Sequence, residues 1–218
     1  MKLYSGPLSL FTAKVRIALD EKQLEFQRVD VGWSLARRYL PHHPDVIALN
    51  PKREVPVLVD GELVVYDSTL ILEYLEDRYP ERPLFPEDVA ERARCRQLEA
   101  AADEIIFPAV WDLIEESLYP APPEGRDPAR LEAARAGLDA RFLELDKELA
   151  GREYLCGEFS VADIGTFIML SAAANLGHAP GAELSGLTGW LARVRARPTC
   201  RREMEGMAAF LAKALAGN

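Results

Sequence analysis

Carboxylate and hydroxyl side chains stand where two helices are predicted to begin in the first 80 residues, and both kinds of group could bind a charged ligand. Asp67 and Ser68 lie at the start of one such helix. The Asp67 carboxylate can pair with an ammonium, while the Ser68 hydroxyl and backbone N–H, at a helix N-terminus, can bind a carboxylate. The same residue types also cap helices, so the pair predicts ligand binding, capping or both.

Four hydroxyls surround the start of the first predicted helix: Tyr4, Ser5, Ser9 and Thr12. A hydroxyl at the start of a helix can cap the helix or donate a hydrogen bond to a bound anion, which the positive end of the helix also favours. Tyr4 lies within a predicted strand, which favours a core position, and Thr12 can cap the helix. These hydroxyls could therefore cap the helix or contact a ligand at its start.

Composition excludes several other functions. The 218 residues carry a formal net charge of −9, with 26 Lys and Arg against 35 Asp and Glu, which argues against a nucleic-acid partner. Three cysteines and three histidines lack the spacing of a metal site, so no metal is expected. The longest uncharged apolar stretch, 164–177, is too short to cross a membrane. Free thiols and the absence of a signal peptide predict a cytoplasmic protein without a membrane partner.

Periodicity divides the chain near residue 80. Before it, the predicted order is strand, helix, strand, helix, strand, strand, helix, with strands at 2–4, 25–31, 55–59 and 63–66. The last two strands flank Asp60–Gly61, a hairpin signal, and a helix over 67–78 follows. After a proline-rich stretch, apolar residues recur at helical spacing, among them Leu98, Ala102, Ile105, Ala109 and Leu113. Further helices are predicted at about 160–176, 186–197 and 200–215.

The chain resembles the glutathione S-transferase family in four passages whose order and spacing are specific together. They are 3–19 (LYSGPLSLFTAKVRIAL), 50–58 (NPKREVPVL), 66–75 (YDSTLILEYL) and 159–163 (FSVAD). The resemblance implies an α/β thioredoxin-like N-terminal domain joined to an all-α C-terminal helical bundle domain. It places a glutathione-binding domain at 1–80, a linker at 81–87 and the helical domain at 88–218, and it implies a homodimer.

The resemblance also implies glutathione as co-substrate and assigns binding residues. Val55–Pro56 would be a cis peptide whose valine pairs with the cysteinyl backbone of glutathione, and Asp67–Ser68 would hold the γ-glutamyl end. Lys52 and Arg53 could supply positive charge for the glycyl carboxylate. Arg37, Arg38, His42 and His43, in the preceding segment, are alternatives for that role.

Ser9 falls where zeta-class enzymes of the family place their catalytic serine, so it is the first candidate to contact the thiol, with Tyr4 and Thr12 as alternatives. A hydrogen bond to the thiolate, helped by the positive end of the first helix, lowers the thiol pKa from its ordinary value of about 8.5. The chain departs from the zeta pattern at Leu10–Phe11, where a serine and a cysteine are expected, and at the acidic Glu54 before Val55. Maleylacetoacetate isomerase activity is accordingly in doubt. Ser160 and Asp163 match the family's capping box, which we assign to folding rather than to catalysis.

The predicted activity is transfer of the glutathione thiolate to a small hydrophobic electrophile. The resemblance places an electrophile pocket against Leu8, Leu10, Phe107 and Trp111. Two alternatives remain. One is a glutathione-dependent isomerase, and the other is a non-catalytic binding protein, because residues 5–7 and the first helix also resemble stringent starvation protein A, which associates with RNA polymerase.

Overall fold

A computed structural model of the chain describes residues 1–119 and 127–216. Contacts between residues divide it into two compact units. One unit comprises Met1–Leu84 together with the chain from Pro198 onward, and the other comprises Phe85–Arg197.

The first unit is built on a mixed four-stranded sheet. Its strands are β1 (Lys2–Ser5), β2 (Gln27–Asp30), β3 (Val57–Asp60) and β4 (Leu63–Tyr66), in the order β2-β1-β3-β4. β1 is parallel to β2 and antiparallel to β3, and β3 and β4 form an antiparallel hairpin. The strand predictions are confirmed to within two residues at each end.

Three helices pack on the two faces of this sheet: α1 (Leu10–Glu21), α2 (Pro44–Leu49) and α3 (Ser68–Arg78). Successive residues of a strand point to opposite faces. Leu3 and Leu58 therefore join one apolar cluster with α1 and α3, while Tyr4 and Val57 join another with Val46 of α2. The alternation seen in the sequence thus becomes two cores, one on each side of the sheet.

The second unit is helical. It contains α4 (Val89–Ala101), a π-helical turn (Ala102–Ile106), α5 (Phe107–Leu118), α6 (Pro128–Glu148), α7 (Val161–Asn175) and α8 (Ser185–Ala196). α7 is apolar around most of its surface and is almost wholly buried, as expected for the core helix of a bundle. No helix within residues 1–119 and 127–216 is long and apolar enough to cross a membrane.

The predicted apolar face at the junction of α4 and α5 is wrong at two positions. The spacing predicts Ile105 and Ala109 on the buried face, but Ile106 and Val110 are buried and Ile105 is 62% exposed. The π-helical turn adds one residue to the helix and so rotates the following face. Pro108 explains the wider turn, because it lacks an N–H and its ring displaces the carbonyl four residues earlier.

The last helix, α9 (Pro198–Ala216), packs with the first unit, although its sequence position predicts it in the domain over 88–218. α9 makes four side-chain contacts within the first unit: three polar contacts with α1 and one edge-to-face contact between aromatic rings. They are Arg16 with Glu203, Asp20 with Arg202, Glu21 with Thr199, and Trp33 with Phe210. These contacts account for the grouping of α9 with α1.

Asp163 forms the capping box predicted at the start of α7. One oxygen accepts from the Ser160 backbone N–H and hydroxyl, both at 3.0 Å. The other accepts from the Leu155 N–H at 3.0 Å and from Trp190 Nε1 at 2.7 Å. Burial raises the pKa of this carboxyl, against the opposing effect of its hydrogen bonds. Asp163 therefore joins α7 to the preceding segment and to α8.

We expect Asp163→Ala to lower the free energy of unfolding by about 3 kcal/mol, because several buried donors lose their acceptor. The exposed N-cap Asp127 of α6, which accepts from two backbone N–H groups, is the matched control. Asp127→Ala should cost only about 1 kcal/mol. Denaturant unfolding measures both values, and equal losses would contradict the structural role assigned to Asp163.

Candidate functional site

Three of the predicted ligand-binding segments meet at one edge of the sheet. Tyr4 of β1 pairs with Val57 of β3, which pairs with Tyr66 of β4. Because β3 runs opposite to its two neighbours, the end of β1, the start of β3 and the end of β4 meet at the same edge. The adjoining segments carry Ser9, Val55–Pro56 and Asp67–Ser68 respectively.

Two helices begin at this edge. Ser9 is the N-cap of α1 and Asp67 is the N-cap of α3. The N-terminus of each helix bears a partial positive charge and backbone N–H groups without intrahelical partners. The edge is therefore suited to anionic groups, independent of any charged side chain.

Ser9 lies at the end of a tight turn. Its N–H donates to the Gly6 carbonyl at 3.2 Å, which closes a β-turn with Pro7 in the second position, where proline is favoured. Gly6 is required by close packing: a Cβ there would lie 2.9 Å from Ser9 Cβ and 2.9 Å from the Tyr39 hydroxyl oxygen. The Leu8 N–H donates to that Tyr39 oxygen at 3.1 Å.

The four hydroxyls near α1 differ in their surroundings. The Tyr4 hydroxyl donates to Asp45 at 2.7 Å, and this hydrogen bond raises the pKa of Tyr4. The Ser5 hydroxyl is buried and accepts from Arg16 at 2.6 Å. Thr12 is also buried and accepts from the Gly6 N–H at 3.4 Å. Tyr4 is therefore engaged in the core, as its strand position predicts. The assignment of thiol activation to Ser9, Tyr4 or Thr12 stays a prediction.

Ser9 is the partly exposed member of the four. Its oxygen accepts from the Thr12 N–H at 3.2 Å, which caps α1. A hydroxyl has one hydrogen to donate and two lone pairs to accept. Capping uses one lone pair, so the Ser9 hydroxyl can donate to an anion while it caps the helix.

The loop before β3 is held by Asn50, which is 2% exposed. Its side chain accepts from the Lys52 N–H at 2.9 Å and donates to the Glu54 carbonyl at 2.8 Å. The Val55–Pro56 peptide is cis, which confirms the expectation from the resemblance. Val55 lies two residues before β3, so its backbone precedes the paired part of the sheet.

Asp67 and Ser68 differ in their contacts at the start of α3. The Asp67 side chain accepts from the Thr69 N–H at 3.1 Å and so caps α3, with its own backbone at a φ of +78°. Such a conformation is strained in a residue other than glycine and is typical of ligand-binding sites. Ser68 is the first residue of α3 and only 4% exposed, and its hydroxyl is not the cap.

Lys52 lies beside Asp67, with Nζ 3.1 Å from Oδ2. This contact raises the pKa of Lys52. Lys52 therefore reaches the loop after β4, although the resemblance predicts it near the glycyl carboxylate. Arg53 is exposed, with a φ of +59°.

The other basic candidates occupy the segment between β2 and α2. Arg37 and Arg38 line a cavity of 590 Å³, together with Ala36, Leu40 and Pro41. His43 instead caps α2, since its Nδ1 accepts from the Asp45 N–H at 3.2 Å. The Leu40–Pro41 peptide is also cis, which nothing in the sequence indicates.

The residues predicted to line an electrophile pocket belong to both units and stay a prediction. In the first unit, Leu8 is half-buried in the turn and Leu10 opens α1 with 8% exposure. In the second unit, Phe107 and Trp111 are half-buried on α5 with ring centroids 5.9 Å apart. No cluster of three His, Cys, Asp or Glu side chains that could hold a metal occurs in the part of the chain that the structure describes.

Three residues that support the edge had no assigned role from the sequence: Arg16, Tyr39 and Asn50. Asn50 is the first residue of the passage over 50–58 that carries the resemblance, so the sequence could have indicated a role for it in this loop. Tyr39 and Arg16 act through contacts with residues distant in sequence, which periodicity does not reveal.

Comparison with known proteins gives the same family in both halves of the chain. The model described as "Glutathione S-transferase, N-terminal domain" matches residues 3–83. The model described as "Glutathione S-transferase, C-terminal domain" matches residues 101–198.

Similar proteins cover most of the chain. The stringent starvation protein A homolog of Coxiella burnetii is 33% identical over 186 residues, 83% of this chain and 79% of that protein. Glutathione S-transferase 1 of Dianthus caryophyllus is 37% identical over 171 residues, 75% of this chain and 73% of that protein. The theta class glutathione S-transferase of Xanthomonas axonopodis pv. citri, solved with glutathione bound, has a TM-score of 0.80 and 28% identity, covering 93% of this chain and 95% of that one.

We expect Gly6→Ala to destabilise the protein by about 1–3 kcal/mol, because the added methyl overlaps Ser9 and Tyr39. Gly32→Ala is the matched control, since nothing lies within 4 Å of the position of its Cβ. The measurement is the midpoint of thermal unfolding. A Gly6→Ala protein as stable as Gly32→Ala would contradict the packing described for the turn.

Proposed function

Because the chain belongs to the glutathione S-transferase family, we propose that it is a serine-type glutathione transferase acting on a small hydrophobic electrophile. Its co-substrate is reduced glutathione. We place it in the cytoplasm, where glutathione is kept reduced, and as a homodimer, both on the strength of the family.

The observation that carries this proposal is the meeting of Ser9, Val55 and Asp67–Ser68 at one edge of the sheet. β1 and β4 are separated by β3, so the segments after them are two strand spacings apart, or about 10 Å. An extended tripeptide is also about 10 Å long. Glutathione can therefore extend along this edge, with its γ-glutamyl group near Ser68, its cysteinyl backbone near Val55 and its thiol directed toward Ser9.

Each part of the ligand meets a chemically suitable group. The Ser68 hydroxyl and the N-terminus of α3 suit the γ-glutamyl carboxylate, and the Asp67 carboxylate suits its ammonium. The backbone of Val55, outside the paired part of β3, suits the cysteinyl N–H and C=O, as an added strand would. Arg53, Arg37, Arg38 and His42 are the candidates for the glycyl carboxylate.

The Ser9 hydroxyl then donates to the glutathione sulfur. This hydrogen bond and the positive end of α1 both favour the thiolate over the thiol and lower the thiol pKa. The thiolate attacks the electrophilic carbon, a C–S bond forms, and the leaving group or the adjacent π-system takes the displaced electron pair. The proton lost by the thiol passes to solvent.

A second candidate is a binding protein of the same fold that conjugates nothing. The similarity to the stringent starvation protein A homolog favours it, as does the acidic Glu54 beside Val55. The related possibility of a glutathione-dependent isomerase uses the same edge and differs only in the electrophile. The transferase and the isomerase both require glutathione binding, whereas the binding protein does not. A glutathione titration therefore distinguishes the two enzymes from the binding protein.

Ser68→Ala should weaken binding of reduced glutathione about tenfold or more, because a hydrogen bond to a charged group is lost. The cap of α3 is unaffected, since Asp67 provides it. Ser185 is the first residue of α8, and Ser185→Ala is the matched control that should bind like the wild type. Calorimetric titration measures both. Absence of wild-type binding at millimolar glutathione would contradict the transferase and isomerase proposals.

Ser9→Ala should leave glutathione affinity nearly unchanged but raise the pKa of the bound thiol by about 1–2 units. The bound thiol would then be mostly protonated at neutral pH, and conjugation would slow in proportion. Ser9→Asp still accepts from the Thr12 N–H, as an N-cap should, but has no hydrogen to donate. Thiolate absorbance against pH is the readout. A bound-thiol pKa equal to that of the wild type in both variants would exclude Ser9 from the proposed role.

A further inference from the structure

Arg16 holds the turn that presents Ser9. Its Nη1 donates to the Ser5 hydroxyl at 2.6 Å and to the Gly6 carbonyl at 3.1 Å. The Gly6 carbonyl is also the acceptor that closes the turn to Ser9. A single guanidinium nitrogen is therefore bonded to the last residue of β1 and to the first residue of the turn.

The other side of the same guanidinium is bound by the last helix. Arg16 Nε and Nη2 donate to the two carboxylate oxygens of Glu203 on α9, at 2.9 and 2.5 Å. This bidentate arrangement suits the planar fork of arginine and cannot be reproduced by lysine. Arg16 thus links β1, the turn and α9 through one rigid group.

The pair is buried, with side-chain exposures of 5% for Arg16 and 11% for Glu203. Desolvation offsets much of the attraction in a buried ion pair, so such a pair adds little net stability. The geometry of the pair is nevertheless well defined, because either charge would be unfavourable in the interior without its partner. The pair is better suited to fixing the position of the turn than to stabilising the fold.

We propose that Arg16 and Glu203 are positioning residues, which hold the Gly6–Ser9 turn so that the Ser9 hydroxyl and the start of α1 meet the glutathione thiol. The inference rests on the proposed function. Both residues act through the turn, and α9 thereby becomes part of the machinery that lowers the thiol pKa.

The same two helices provide a matched control. Asp20 and Arg202 pair at 3.1 Å, with side-chain exposures of 39% and 61%. Asp20 lies eleven residues after Ser9, about 16 Å along α1. Asp20→Asn combined with Arg202→Gln therefore weakens the contact of α1 with α9 far from the turn.

Arg16→Met combined with Glu203→Leu replaces the buried pair with apolar side chains, a change that buried ion pairs often tolerate without loss of stability. Arg16→Lys is a second variant, which keeps the charge but not the fork. Thermal unfolding of each variant verifies that it is folded. The Asp20→Asn/Arg202→Gln protein serves as the reference for helix docking.

Amide exchange in the ligand-free proteins is the first readout. Loss of the Arg16 contact should speed exchange of the Leu8 and Ser9 amides about tenfold, because the turn opens more often. The Asp20→Asn/Arg202→Gln protein should match the wild type at these two amides. Equal exchange in all proteins would overturn the inference, whatever the protein binds.

The pKa of the bound glutathione thiol is the second readout. It should rise by about one unit in Arg16→Met/Glu203→Leu and in Arg16→Lys, but not in the control. A lowered thiol pKa that persists in both Arg16 variants would overturn the positioning role and leave the proposed function intact. A wild type that does not lower the thiol pKa would instead contradict the proposed function, and the role of the pair with it.

Discussion

The hydrogen-bond ladder joining β1, β3 and β4 is the constraint on which both the core and the candidate site depend. Its register sets Tyr4 opposite Val57 and Val57 opposite Tyr66. A slip of one residue would exchange the two faces of a strand, so the apolar clusters on both sides of the sheet fix this register strongly. The antiparallel pairing then brings three sequence-distant segments to one edge.

Buried ion pairs fix segments of backbone that lie outside the strand ladder. Lys22 and Glu76 pair at 2.7 Å, and Lys22 also donates to the carbonyls of Tyr79 and Arg82. The Glu76 carboxylate in turn accepts from the Leu84 N–H. The chain leaving α3 is thereby held against α1, just as Arg16 holds the turn before α1. In both places, one charged pair fixes irregular backbone that the sheet does not reach.

Periodicity predicted the strands and most helices because these depend on local alternation of apolar and polar residues. It predicted the wrong apolar face where Pro108 introduces a π-helical turn. The candidate site residues came from the resemblance. Their supports did not, because Arg16 and Glu203 are separated by 187 positions, a distance at which no local pattern exists.

The ion pair between Lys52 and Asp67 favours one kind of ligand at the end of α3. Both side chains are more than one-third exposed, so the pair is weak and readily exchanged. Together with Arg53 and Glu54, Lys52 and Asp67 make a group of two positive and two negative side chains. A simple anion bound here would repel the Asp67 carboxylate. A zwitterion avoids this repulsion, because its ammonium can pair with Asp67 while its carboxylate binds the start of α3. The γ-glutamyl group that we propose for this edge is such a zwitterion.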